Sequence, residues 1–204
     1  MEHIKHLSKD KKLKKIIEAQ EPFVLVQRKK VYLHLCASIL SQQLSTKVAK
    51  VIHQRFLNLY DSKEPSAQQI TTTPLETFRS IGFSNAKAGY VHNVCKFFID
   101  NKITDAQLNK MTNEEIIDLL TQIKGVGKWT VEMILMFTLG REDVFAVDDL
   151  GIQQSVAKLY RLDATDKKLM KEKMLEISAK WSPYRTYACR YLWGWKDNKP
   201  PIGK

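Results

Sequence analysis

Two glycines and two aspartates set the chemical possibilities of this chain. Gly125-Val126-Gly127 is a tight turn between two stretches of helical periodicity, and Asp148-Asp149 ends a short loop behind the second stretch. Glycines let successive backbone N–H groups point outward, and the helix that starts there adds its positive dipole end. Such a turn can seat an anion without reading any side chain, which suits a phosphodiester backbone. Lys124 and Lys128 flank it with charge. The plainer reading is an ordinary turn between two packed helices. The acidic pair is likewise open to two readings: caps for the next helix, where negative charge is favourable, or carboxylates available for chemistry.

The totals narrow the partners. The chain has 204 residues, with 33 Lys plus Arg against 22 Asp plus Glu, a net charge of +11. That balance favours a polyanion, most simply nucleic acid. The three cysteines, Cys36, Cys95 and Cys189, are too scattered for a disulfide framework or a zinc spacing, and each has apolar helical neighbours. No apolar run approaches membrane length and no signal peptide opens the chain. The expected setting is reducing: cytoplasmic, with the nucleoid, or nuclear, and not secreted.

Helices must position these residues. Thr112-x-x-Glu115 is a capping box ahead of Ile116, Ile117, Leu119 and Leu120. After the glycine turn, Val131, Ile134, Leu135 and Thr138 recur at helical spacing until Gly140. Residues 1–20 read as one short helix. VYLHLCASILSQQ is apolar on most faces, and the helix after it turns Val48, Val51, Ile52, Phe56 and Leu59 inward. Thr73-Pro74-Leu75-Glu76 starts a further helix, with threonine as cap and proline first. Gly82 ends that helix, Ser84 caps the next, and Lys87 falls on a solvated face. Asp149 begins LGIQQSVAKLY, Thr165 caps the following helix, and Ser182-Pro183 starts the last, before a tail holding Pro200 and Pro201. Strand signals are scarce. The expectation is an all-α fold of roughly ten helices.

Ile123-Lys124-Gly125-Val126-Gly127-Lys128-Trp129-Thr130, followed by Val147-Asp148-Asp149-Leu150, resembles the helix-hairpin-helix (HhH-GPD) DNA glycosylase superfamily. The likeness is strongest to its alkylpurine branch, the 3-methyladenine DNA glycosylase II type. Lys124 departs from the proline common before the first glycine of that motif. The resemblance implies one glycosylase domain over 1–204 with two helical lobes, the chain ends in one and roughly 45–135 in the other, and the hairpin at the cleft. It implies a catalytic carboxylate at Asp149, twenty positions after Trp129. Trp129, Trp193 and Met133 would line the substrate pocket. Gln43, Lys124, Gly125, Val126, Gly127, Lys128 and Thr130 would bind DNA, with Gln43 filling the gap left by an extruded nucleotide. Trp181, Tyr184, Tyr187 and Trp195 read as core or rim.

The implied activity is a monofunctional DNA glycosylase that flips and excises alkylated purines of the 3-methyladenine and 7-methylguanine type. Bifunctional relatives carry a Schiff-base lysine where this chain has Trp129, and Lys128, one residue earlier, is turned by about 100°. Alternatives are a glycosylase for deaminated purine or uracil, and a non-catalytic hairpin module that only holds DNA. No cofactor is expected. Relatives with an iron–sulfur cluster have four cysteines near the carboxyl end, where this chain has Cys189. The hairpin carbonyls could hold a monovalent cation. The expected partner is double-stranded DNA, bound by a monomer, with no membrane involved.

Overall fold

The structure, a computed structural model, describes residues 1–42 and 44–197. Gln43 and the tail with Pro200 and Pro201 lie outside the described residues. Thirteen helices, and no strand among the described residues, make up the fold. In chain order they are α1 (Glu2–Leu7), α2 (Lys11–Glu18), α3 (Val31–Ser41), α4 (Thr46–Asn58), α5 (Ala67–Thr72), α6 (Leu75–Ser80) and α7 (Asn85–Asp100). Then follow α8 (Asp105–Lys110), α9 (Asn113–Leu120), α10 (Lys128–Phe137), α11 (Leu150–Tyr160), α12 (Lys167–Ala179) and α13 (Arg185–Asp197). The all-helical expectation holds. The extra helices over the expected ten are single turns and a half: 1–20 forms two helices rather than one, and the polar connection after α4 runs into α5. Among the described residues no helix is long and apolar enough to cross a membrane.

The chain divides into two compact units, Gln27–Leu139 and a second that joins Met1–Val26 to the chain from Gly140 onward. The middle unit begins before the residue 45 read from sequence, because α3 is buried among α4, α7 and α10. Val31, Leu35, Cys36, Ile39 and Leu40 of α3 are wholly enclosed. Its start is capped from a distance. Lys30, left-handed at φ 61°, offers no side-chain cap, and the Asp105 carboxylate instead accepts from the amides of Lys30 (2.6 Å) and Val31 (3.0 Å).

Three local expectations fail because the hydroxyl read as a cap is engaged elsewhere. Asp166 rather than Thr165 caps α12, taking the Leu169 amide at 3.0 Å, while Thr165 bonds Asp163. Ser182 donates to Asp143 at 2.8 Å, and α13 starts only at Arg185. Thr73 closes α5, donating to the Gln69 carbonyl, and leaves Pro74 at the cap of α6. On α4 the buried stripe is Ile52 and Phe56. Val48 and Val51 are each 45% exposed, and Val48 borders a hollow of 270 Å³ with Leu44 and Phe83.

Lys87 is not on a solvated face. Its ammonium donates to the carbonyls of Leu40 (2.9 Å) and Gln42 (2.7 Å), the open C-terminal end of α3. Burial pulls its pKa below the usual lysine value. The unit of the chain ends is built on α13, which packs on α2 and α11, with α12 covering α11. Asp10 is its polar hub: it caps α2 through the amides of Lys12 and Leu13 and accepts from Tyr160 Oη–H and, at 3.2 Å, from Trp181 Nε1–H.

Candidate active site

The hairpin lies in the middle unit. Thr112 and Glu115 form the expected reciprocal box at the start of α9: the Thr112 hydroxyl accepts the Glu115 amide (3.2 Å) and the Glu115 carboxylate accepts the Thr112 amide (2.7 Å). Ile123 and Val126 are buried and anchor the turn from inside. Gly125 is obligatory twice over. Its φ is +103°, and a Cβ there would stand 2.2 Å from the Tyr90 ring. Gly127 is the cap position of α10 and brings no side chain to the helix's first amides. Lys124 and Lys128, on either side of the turn, are exposed.

Two of the expected DNA-binding residues face inward. Val126 is buried, and Thr130 is only 3% exposed, its hydroxyl 3.5 Å from the donor Gln42 Nε2. The Thr130 amide, in the first turn of α10, and not either side chain, is what a phosphate could meet. Thr130 thereby ties α10 to the loop after α3, the loop that Lys87 also holds. Lys128 leans back along its own helix, its ammonium 3.9 Å from the Glu132 carboxylate. Of the hairpin carbonyls, that of Ile123 accepts the Val126 amide (3.0 Å) and that of Lys124 accepts Asn93 Nδ2–H (3.2 Å).

Trp129 and Met133 share one face of α10, four residues apart. Phe137 continues that face, a residue the sequence reading missed. Trp129 is 42% and Phe137 41% exposed, unusual for large apolar side chains on a helix otherwise buried. Met133 and Phe137 line a hollow of 210 Å³ whose far wall is His34, Ser38 and Ser41 of α3, with Arg28 at its edge. His34 and Ser41 are one face of α3, seven residues apart, and helical periodicity alone could have flagged them. Burial, and the Arg28 charge after it, hold the His34 pKa below the usual histidine value.

The acidic pair lies in the other unit, and its two members part company. Asp148 is exposed and bonds Lys171 of α12 at 2.7 Å. Asp149 is the cap of α11: its Oδ1 accepts the Ile152 amide at 2.8 Å and Trp193 Nε1–H at 2.8 Å. Asp148 therefore does not cap the helix, and Asp149 does so with an oxygen that also takes the indole. The loop that delivers the pair is stiff. Arg185 grips Asp143 through two nitrogens (2.6 and 3.0 Å), and Thr186 Oγ1 accepts the Val144 amide while donating to the Arg141 carbonyl. Burial pushes the Asp143 carboxyl up, and the donors from Arg185 and Ser182 outweigh it, so its pKa lies below the ordinary value. Val144 to Val147 are buried, and Gln153 ties the Val147 carbonyl at 2.9 Å.

Trp193 is thus joined to Asp149 within one unit, and Trp129 and Met133 stand together in the other. Trp181 and Tyr187 are core, and Trp195 lies under the Lys158 ammonium at 5.0 Å. The cysteines are all buried and unbridged, with Cys36 and Cys95 meeting at 3.8 Å between sulfurs.

A helix-hairpin-helix turn, an aromatic on its second helix and a capped aspartate after it define a class. Residues 36–180 match the HhH-GPD superfamily of base excision DNA repair proteins, and the chain belongs to it. It is 37% identical over 185 residues to DNA-3-methyladenine glycosylase 1 of Schizosaccharomyces pombe, covering 90% of this chain and 80% of that protein. Among solved structures it is similar to the Schizosaccharomyces pombe 3-methyladenine DNA glycosylase in complex with abasic DNA, at 34% identity and TM-score 0.81 over 95% of each chain. It is also similar to DNA-3-methyladenine glycosidase from Bacillus halodurans, at 32% identity and TM-score 0.84, covering 96% of this chain and 89% of that one.

Proposed function

We propose that this chain is a monofunctional DNA glycosylase that flips alkylated purines of the 3-methyladenine and 7-methylguanine type from duplex DNA and hydrolyses their N-glycosidic bond. The observation that carries the reading is Asp149, a carboxylate fixed by two donors at the end of a stiff loop, in a chain more than 30% identical over nearly its whole length to 3-methyladenine glycosylases. Breaking the bond develops oxocarbenium character on the sugar. Asp149 opposes that positive charge and orients the attacking water. A purine alkylated at N3 or N7 is itself cationic, so it leaves without a strong general acid, and aromatic faces such as Trp129 and Trp193 attract it.

Hairpin amides with Lys124 and Lys128 hold phosphates without reading sequence, and Gln43 fills the vacated place in the stack. The enzyme acts as a monomer, without a cofactor, wherever the cell keeps its DNA; a monovalent cation on the hairpin carbonyls would serve grip and not chemistry. Trp129 in place of a lysine makes a Schiff-base lyase step unavailable, so the product is an abasic site.

The test is to incubate methylated DNA with the protein and identify the released bases by chromatography, with borohydride added in parallel. Release of 3-methyladenine or 7-methylguanine with no trapped covalent complex is expected. Binding without release from any lesion would make the protein a DNA-holding module instead, and release of only uracil or hypoxanthine would reassign its substrate.

A further inference from the structure

Gly151, the second residue of α11, lacks the reason glycine usually has for its place. Its backbone is helical, outside the left-handed region that the strained glycines of this chain occupy, and glycine is among the poorest helix formers. What the position lacks is room. A Cβ at 151 would stand 3.0 Å from Asp149 Oδ1 and 3.1 Å from both Cδ1 and Nε1 of Trp193. The indole N–H reaches the carboxylate at 2.8 Å across a spot where any other residue would place a methyl. The two helices also meet at this level through the buried Ser155 hydroxyl, which donates to the Gly151 carbonyl (2.7 Å) and stands 3.3 Å from that of Leu192.

We infer that Trp193 and Gly151 are positioning residues for Asp149: the indole donates to the carboxylate, and the missing side chain at 151 lets it come within reach. Two donors converging on one oxygen fix both torsions of the aspartate, and so fix where its negative charge stands. Trp193 then acts on the chemistry through Asp149 and not only as a flat wall for a base. The inference rests on the reading of Asp149 as the carboxylate that opposes the developing sugar cation.

The experiment measures single-turnover base release from methylated DNA at saturating enzyme for the wild type, Gly151→Ala, Trp193→Phe and the double variant, with thermal melting and the dissociation constant for undamaged duplex measured beside it. Gly151→Ala, which forces shifts of a few tenths of an ångström, should slow release about three- to tenfold, and Trp193→Phe, which deletes a donor to a charged group, about ten- to a hundredfold. Alanine favours the helix, so the melting temperature of Gly151→Ala should hold or rise while its rate falls. The two factors should not multiply in the double variant, since both act through one hydrogen bond. Gly151→Val must be slower than Gly151→Ala, which keeps the idea testable should Trp193→Phe fold poorly. Unimpaired release by Gly151→Ala, multiplicative factors, or a rate that tracks a falling melting temperature would overturn the inference and leave the glycosylase reading standing. A wild type that releases no base removes that reading, and the inference with it.

Discussion

Asp149→Asn separates the two duties of the aspartate. The Ile152 amide and the Trp193 indole both donate to Oδ1 of the side chain. Asparagine presents a carbonyl oxygen in that place and is as good a helix cap as aspartate, so stability should change by less than about 0.5 kcal/mol. Asp149→Ala removes the acceptor, uncaps α11 and leaves the half-buried indole N–H without its partner, at a cost of about 1–3 kcal/mol. Catalysis sorts the variants differently. A unit negative charge ~4 Å from a developing unit positive charge, at an effective dielectric constant of ~20, is worth about 4 kcal/mol. Its removal slows bond cleavage by about three powers of ten. Both variants should therefore lose base release to that extent, while only Asp149→Ala melts earlier, and both should keep their affinity for undamaged duplex. The assay is single-turnover release from methylated DNA alongside a thermal melt and a binding isotherm. An Asp149→Asn enzyme retaining more than about a tenth of the wild-type rate would refute the electrostatic argument.

Gly125→Ala combines a left-handed φ with a collision against the Tyr90 ring and should lower stability by about 1–3 kcal/mol and weaken DNA binding more than any single lysine change. Binding to duplex should fall linearly with log salt, and Lys124→Gln should reduce the slope by about one while weakening all sequences alike; an unchanged slope removes Lys124 from the interface. Lys87→Met strips the donor from the carbonyls of Leu40 and Gln42 and should cost about 1–3 kcal/mol in a denaturant melt. Stability should decline as pH falls from about 6.5, measured by urea midpoints. Burial, with the positive N-terminus nearby, lowers the His3 pKa from 6.5, so the unfolded chain protonates first; hydrogen bonds overcome burial to lower the Asp10 pKa from 3.8, so its contribution is lost as pH falls further, through the folded value. Asp10→Ala should flatten the acid part of that curve.

How much of this was legible depended on the range of the contact. Thr112 and Ser84 cap their helices as read, accepting the amides of Glu115 and Lys87, since a cap is decided within one turn. The start of α3 was not readable, because its cap is Asp105, 75 residues from Lys30 and 74 from Val31. Thr165 and Ser182 were misread for a related reason. Each lies near a carboxylate that accepts better than a hydroxyl does, and Asp143 reaches Ser182 only after the chain has folded. The inward face of α4 was correct at Ile52 and Phe56, which are enclosed, and wrong at Val48 and Val51, which are only partly covered. Periodicity reports which side chains could share a face, and only packing decides how far along the helix that face is covered.

The site divides along the same line. The glycine turn, Trp129 and the acidic pair stand within thirty residues and could be read from spacing, including which aspartate matches the motif. What the spacing could not say is why that aspartate differs from its neighbour. Asp148 and Asp149 have the same side chain and adjacent positions, yet one meets Lys171 in solvent and the other meets an amide and an indole. The difference comes from α11 and α13, whose close approach brings Trp193 across 44 positions to Oδ1. The placing of the Asp149 carboxylate thus involves two residues, Gly151 and Trp193, that have no reactive group of their own. In a helical scaffold a carboxylate is aimed by what its neighbours leave out as well as by what they donate.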